Sequence, residues 1–302
     1  MGSLSFSMAG WIRGERPAPP WCTLPPSPTL DTHTLTSLNS PPTDSWWSDG
    51  EYTAPTDEAL RFDLQAVGSL GMNSVRLHQK VNSDRWYYWA DTLGVVVLQD
   101  AVQKYGGASA GTVEPFLADL KAMMDGRGNH PSIIQWEIFN EGDCWSVFNV
   151  SEVIAWARAY DPHRLIDTDS GGGANDLHIG DVNDIHSYPW PGNPQPSATQ
   201  YAMQGEYGGI GAFTPGREWS PGQCFAYLAN PDAQAEAEVF VNMTKVLVQN
   251  KAKGVSVSVF TQITDVENEC DGKCVCVCAP GCSLCLAPLS SHTLKHLHAH
   301  LT

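Results

Sequence analysis

Two carboxylates stand where this chain could do chemistry: Glu141 in "IIQWEIFNEGDCW" and Glu206 in "QGEYGG". Each closes an apolar run inside a turn of Gly or amide residues, which bury badly but suit a strand that delivers a side chain into a cleft. If Glu141 ends the fourth strand of a parallel barrel, strands starting at Leu165 and Asp184 make Glu206 the end of the seventh. The two can then approach across the barrel mouth. Carboxyl groups roughly 5–5.5 Å apart are what a retaining glycosidase needs: one attacks the anomeric carbon, and the other protonates the leaving oxygen and later activates water. Like charges at that distance raise one pKa and keep the acid protonated.

The elements that must position these groups follow from pattern. Thr56 to Leu70 reads as a helix, with a Thr cap behind Pro55, Asp57 and Glu58 at the positive end and Gly71 as the stop. After a strand from Asn73 to His78 come a helix from Asp84 to Leu93, a strand from Val95 to Asp100 and a helix from Val113 to Met124. Next are a strand from Ser132 to Glu141, a helix from Ser151 to Tyr160 and a strand from Leu165 to Asp169. Strands from Asp184 to Tyr188 and Tyr201 to Glu206, a helix from Ala233 to Lys251 and a strand from Val255 to Gln262 complete seven strands. This alternation is the signature of βα repeats on a parallel sheet. Nearly every strand closes on a polar group (His78, Asp100, Glu141, Asp169, Tyr188, Glu206, Gln262), and the carboxyl ends of parallel strands are where ligands bind.

Composition narrows the partners. The chain has 302 residues and a formal charge of −16, which opposes binding to nucleic-acid phosphates or anionic lipid. No apolar run reaches the ~18 residues that cross a bilayer. The expected partner is a neutral or cationic ligand, with neither nucleic acid nor membrane. No compartment or oligomeric state can be read. Residues 1–45, rich in Pro, Ser and Thr, are expected to be a disordered leader, and residues 46–269 the folded body. Residues 270–302 form a Cys/His-rich tail expected to lie outside the fold. Its single C-x₂-C, without a partner pair at finger spacing, argues against a metal site.

Several of these stretches carry a family resemblance. "GMNSVRLHQKVNSDRWYYWADTLGVVVLQD", "HPSIIQWEIFNEGD", "GDVNDIHSYPWP", "QGEYGG" and "FTQITDVENE" resemble successive strand motifs of the catalytic barrel of glycoside hydrolase family 2, the β-galactosidase, β-glucuronidase and β-mannosidase family. The resemblance spans about residues 46 to 269. It implies a (β/α)8 TIM barrel in the α/β class and a retaining hydrolase of terminal β-linked sugars that uses no cofactor or metal. Glu141 would then be the general acid/base and Asn140 a hydrogen-bond partner of the sugar 2-hydroxyl. Glu206 would be the nucleophile, with Arg76 beneath it and Tyr188 donating to it. Glu267 and Glu269 are the lesser candidates for nucleophile.

Other residues stay open between a sugar contact and a structural role. His186 faces either cleft or core, and His78 and Asp100 could hold sugar hydroxyls or strand-end hydrogen bonds. Trp136 reads as core, whereas Trp190, in the loop "YPWPGNP", is the better stacking platform. The chain departs from the family at both ends, so the barrel is expected to be incomplete at the first strand, where only "THTLTSLN" stands, and at the last helix. Two other readings remain: a catalytically inactive carbohydrate-binding fragment, and a metal-dependent hydrolase using His78, Asp100, Asp169 and His186.

Overall fold

The structure is a computed structural model. It describes residues 35–40 as backbone alone, and residues 53–54, 56–103, 109–142, 144, 146–173, 177–216 and 218–272 in full. Most of the expected leader, and the tail from residue 273, lie outside the described residues.

The core is an eight-stranded parallel sheet. Its strands are β1 (Leu35–Ser40), β2 (Ser74–Leu77), β3 (Val96–Asp100), β4 (Ile133–Glu137), β5 (Leu165–Asp167), β6 (Val182–His186), β7 (Tyr201–Gly208) and β10 (Val255–Thr261). They run in the order β5-β4-β3-β2-β1-β10-β7-β6. The two ends of that order meet where the Asp181 N–H donates to Ile166 O at 2.8 Å, and the Asp181 carboxylate accepts from the Ile166 N–H at 2.9 Å. A side chain on Gly180 would press on Thr168 and on Ile166 O, so this approach needs glycine. The architecture is that of a TIM barrel.

Where a gap at the first strand was expected, Leu35–Ser40 pairs in parallel with both β2 and β10. The physical reason lies in the neighbours, since each presents a full row of N–H and C=O groups, and a short extended segment satisfies both rows whatever its own propensity.

Among the described residues five α-helices cover the barrel: α1 (Asp57–Ser69), α2 (Asp84–Leu93), α3 (Val113–Arg127), α4 (Val150–Tyr160) and α5 (Ala233–Lys251). The Thr56 hydroxyl caps α1 by accepting from the Ala59 N–H at 3.2 Å, and the Asp232 carboxylate caps α5 through the Ala235 N–H at 2.8 Å. The β5–β6 and β6–β7 connections carry no helix among the described residues, and none follows β10.

Strand side chains alternate between two environments, as the two-residue period requires. One set, including Val75, Leu77, Val97, Trp136, Ile138, Ile166, Tyr207 and Phe260, packs against buried helix residues such as Leu64, Trp86, Leu120, Ile154 and Met243. Trp136 is core, as its place in the strand suggested. A smaller cluster of Leu98, Val182, Met203, Val257 and Val259 fills the barrel interior. Beside it lie the buried polar residues Arg76, Asp100, Glu137, Asp167, Asp184 and Glu206.

Several boundaries shift by a few residues, among them β6, expected over Asp184 to Tyr188 and found at Val182–His186, and two of the differences bear on the site. Strand β4 stops at Glu137 rather than Glu141; an isolated parallel bridge from Asn140 to Ser170 follows before Glu141 (φ 54°) and Gly142 (φ 81°) turn the chain into the left-handed region. Residues 270–272 also pack as part of the body: Cys270 is buried and disulfide-bonded to Cys224, and Asp271 is fully buried. A short parallel pair, β8 (Ile210–Gly211) with β9 (Leu228–Ala229), holds the segment after β7.

Candidate active site

The site is assembled around one guanidinium. Arg76, on β2, is wholly buried, and a buried cation persists only when paired and hydrogen-bonded. Its Nε and Nη2 donate to the two Asp100 oxygens at 3.0 and 2.9 Å, and Nη2 also donates to Asn140 Oδ1 at 2.8 Å. Nη1 donates to Glu206 Oε1 at 2.9 Å. One side chain thereby fixes groups from β3, from the segment after β4 and from β7. The surrounding carboxylates more than offset the cost of burial and raise the Arg76 pKa well above its ordinary value.

Glu206 is nearly buried and surrounded by donors and cations. Burial alone would raise its pKa. The charges of His186, Arg76 and His78, with the hydrogen bond from Tyr188, outweigh that and bring it down to about 2. The Tyr188 hydroxyl donates to Glu206 Oε2 at 2.6 Å and lies 2.7 Å from Thr261 Oγ1. Glu206 is therefore an anion throughout the neutral and mildly acidic range.

Glu141 projects into the opening with 43% of its side chain exposed. Its backbone N–H donates to Ser170 O at 2.9 Å, and Asn140 is braced by Gln103, whose Oε1 accepts from the Asn140 N–H at 2.8 Å. Because Asn140 Oδ1 is taken by Arg76, the amide NH₂ end is the end left to face a ligand.

His186 stands between the carboxylates. Its Nδ1 is 2.8 Å from Glu141 Oε1 and 3.4 Å from Glu206 Oε2, and its Nε2 is 2.9 Å from Ser170 Oγ. The single Ser170 hydroxyl proton goes to Asp184 Oδ2 at 2.5 Å, so Ser170 Oγ accepts from His186 Nε2–H. Arg76 Nη1 lies 3.5 Å from Nε2, while Nδ1 faces carboxylate oxygens, which favour the protonated ring. Burial opposes that state, but the Glu206, Glu141 and Asp184 carboxylates prevail and raise the His186 pKa.

Donor atoms of Glu141, His186 and Glu206 all lie within 4.8 Å of one another. One carboxylate oxygen of each Glu is thus within 4.8 Å of the other, closer than the roughly 6.5–9.5 Å of an inverting pair. The same trio is close enough to share a cation, but Arg76 against Glu206 and the charge on His186 already supply positive charge there. The four-residue ligand set of His78, Asp100, Asp169 and His186 does not come together as such a group among the described residues.

The remaining expected residues take distinct places. Asp100 is nearly buried, with its oxygens held by Arg76, by His78 Nδ1 at 3.0 Å and by the Gln79 N–H at 3.2 Å, so it stands behind Arg76. His78 keeps partial exposure at the mouth. Trp190 is exposed, but among the described residues no ring contact links it to the carboxylates. Glu269 is more than half buried, and burial together with the Glu206 charge raises its pKa. Sequence reasoning passed over Tyr227, whose ring stacks on Tyr188 with centroids 4.0 Å apart and an interplanar angle of 8°.

Comparison with known proteins finds relatives of the barrel. Residues 53–190 match the family described as "Glycosyl hydrolases family 2, TIM barrel domain". A β-galactosidase of Vibrio cholerae is 27% identical over 157 residues, covering 49% of this chain and 15% of that protein. A β-galactosidase of Photobacterium profundum is 30% identical over 128 residues, covering 40% of this chain and 12% of that protein. The chain thus spans only a small part of these relatives. Among solved structures, a family 2 β-galacturonidase from Eisenbergiella tayi superposes with a TM-score of 0.59 at 19% identity, over 79% of this chain and 45% of that one. A β-D-glucuronidase from Dictyoglomus thermophilum gives 0.57 at 15% identity, over 80% of this chain and 47% of that one.

Proposed function

We propose that this chain, whose residues 53–190 match the barrel domain of glycoside hydrolase family 2, hydrolyses terminal β-linked glycosides with retention, using Glu206 as nucleophile and Glu141 as acid/base. The observation that carries this reading is the pairing of an ionised, buried Glu206 with an exposed Glu141, their oxygens within 4.8 Å of a shared histidine.

In the first step a Glu206 oxygen attacks the anomeric carbon as the glycosidic bond breaks, and Glu141 delivers a proton to the departing oxygen. That proton is the one Glu141 takes from water in the second step of the preceding turnover, and His186 Nδ1, 2.8 Å away, holds the Glu141 oxygen in place. In the second step Glu141 takes a proton from water, the water oxygen attacks the anomeric carbon, and Glu206 is released as carboxylate. Arg76 and Tyr188 hold Glu206 in line throughout, and Asn140 offers its NH₂ to the sugar 2-hydroxyl.

The charges at the mouth favour a neutral sugar over a uronic acid. Arg76 is committed to Asp100 and Glu206, His78 to Asp100, and His186 to Glu141. A substrate carboxylate would have to displace one of these pairings.

The test is turnover of a panel of aryl β-glycosides, neutral and uronic, by the wild type, Glu141→Ala and Glu206→Ala, with azide added to each variant. A retaining glycosidase with these roles loses activity in both variants. Azide then yields an α-glycosyl azide with Glu206→Ala and a β-glycosyl azide with Glu141→Ala, and the neutral substrates are cleaved faster. A folded wild type that binds sugar and cleaves nothing would favour an inactive carbohydrate-binding barrel.

A further inference from the structure

The segment that follows β7 returns to the barrel mouth and places two aromatic rings beside the carboxylates. Resting on the glycosidase reading above, we infer that Tyr227 and Phe225 form a stacking platform for the leaving group of the substrate, an aglycone with a flat, apolar-faced ring.

The position carries the first part of the argument. The Tyr227 ring lies face to face with Tyr188, 4.0 Å between centroids, while the Tyr188 hydroxyl holds Glu206 at 2.6 Å. Phe225 meets Tyr227 edge-on at 5.1 Å. Tyr227 also lies in the field of both reacting groups: burial, then the charges of Glu206, Glu141, Glu269 and Asp271, push its hydroxyl up to about 12. A ring bound over these faces would lie beside Tyr188 and the Glu206 that it holds.

Rigidity carries the second part. Tyr227 is 49% exposed and Phe225 50%, so each keeps a hydrated apolar face that burial against a ligand would relieve. The segment holding them is pinned on both sides. Cys224 is disulfide-bonded to Cys270, the Phe225 N–H donates to Asn268 O at 2.7 Å, and the Cys270 N–H donates to Phe225 O at 2.8 Å. The Leu228 N–H donates to Gly209 O at 3.1 Å. At Gly209 (φ 59°) a Cβ would come 2.3 Å from the Tyr227 ring, so only glycine lets the ring lie down over Tyr188. Rings pre-ordered in this way lose little entropy on binding.

The experiment measures Kd for phenyl and methyl 1-thio-β-glycosides of the glycone that the wild type cleaves or binds best, with the matching thio-linked disaccharide as a third ligand. In the wild type the phenyl compound should bind about 2- to 10-fold tighter than the methyl compound, the range of one aromatic contact. Phe225→Ala should erase most of that preference, and Phe225→Trp should retain it. A disaccharide that shares the preference identifies a sugar ring as the aglycone, whereas a preference confined to phenyl identifies an aryl group. Equal binding of phenyl and methyl compounds by the wild type, or a preference that Phe225→Ala leaves intact, overturns the platform. Lack of turnover with the preference present would instead strike at the hydrolytic reading alone.

Discussion

Glu206→Gln tests the electrostatics of the site through stability. The folded protein holds this carboxyl at about 2 against an ordinary 4.5. At about 1.4 kcal/mol per unit, that depression is worth about 3 kcal/mol whenever the group is ionised. The sign follows from proton linkage: a depressed carboxyl stabilises above its unfolded value, and the stabilisation drains away as pH falls through 4.5 toward 2. Glutamine has nearly the same shape but carries no charge, and its one carbonyl oxygen can accept from only one of Arg76 and Tyr188, which donate to different Glu206 oxygens. Urea unfolding should therefore find the variant less stable by about 3 kcal/mol at pH 6, and the difference should shrink steadily below about pH 4. A gap that stays constant with pH would mean that packing, not ionisation, separates the two proteins. A variant more stable than the wild type at pH 6 would mean that desolvation had won and that Glu206 is strained rather than stabilised.

Two further outcomes follow from the same arrangement. Burial pushes the Glu137 carboxyl up to about 7, so the wild type should lose stability as pH rises from 4.5 through 7, and Glu137→Gln should flatten that slope; equal slopes in urea unfolding at pH 5 and pH 8 would refute it. Asn140→Ala should lower kcat/KM for a 2-hydroxy glycoside by about 10- to 100-fold while changing that for the 2-deoxy analogue far less, as expected for loss of a single hydrogen bond to substrate; equal losses on both substrates would remove the 2-hydroxyl contact.

The barrel was largely legible in the sequence because its signals are local. The α2 and α5 boundaries follow from capping and period alone, and the strands betray themselves by polar residues at the ends of apolar runs. Glu141 and Glu206 could be singled out for the same reason. What escaped is non-local. Leu35–Ser40 has little strand character of its own and becomes a strand through the backbones on either side. The stop of β4 at Glu137 depends on where pairing with the neighbouring strands lapses, and "FNEGD" signals the turn at Glu141 without fixing where the ladder ends. The His186 link between the carboxylates requires three strands in register. Tyr227 and Phe225 sit in a stretch of Pro, Gly and Gln that reads as plain loop until Cys270, far along the chain, anchors it.

Arg76 gives the barrel a check on its own assembly. Its guanidinium reaches groups on β3, after β4 and on β7, with β1 and β10 lying between β2 and β7 in the sheet. A slip of one residue along any of these strands would turn a carboxylate or amide to the opposite face and strand a buried charge. Only one alignment of the strands satisfies all of its donors, and that alignment is the one in which Glu206 faces Glu141. Misfolded registers are thus penalised by the same atoms that order the cleft, so a substitution that loosens the strands should register first as lost turnover and only later as lost fold.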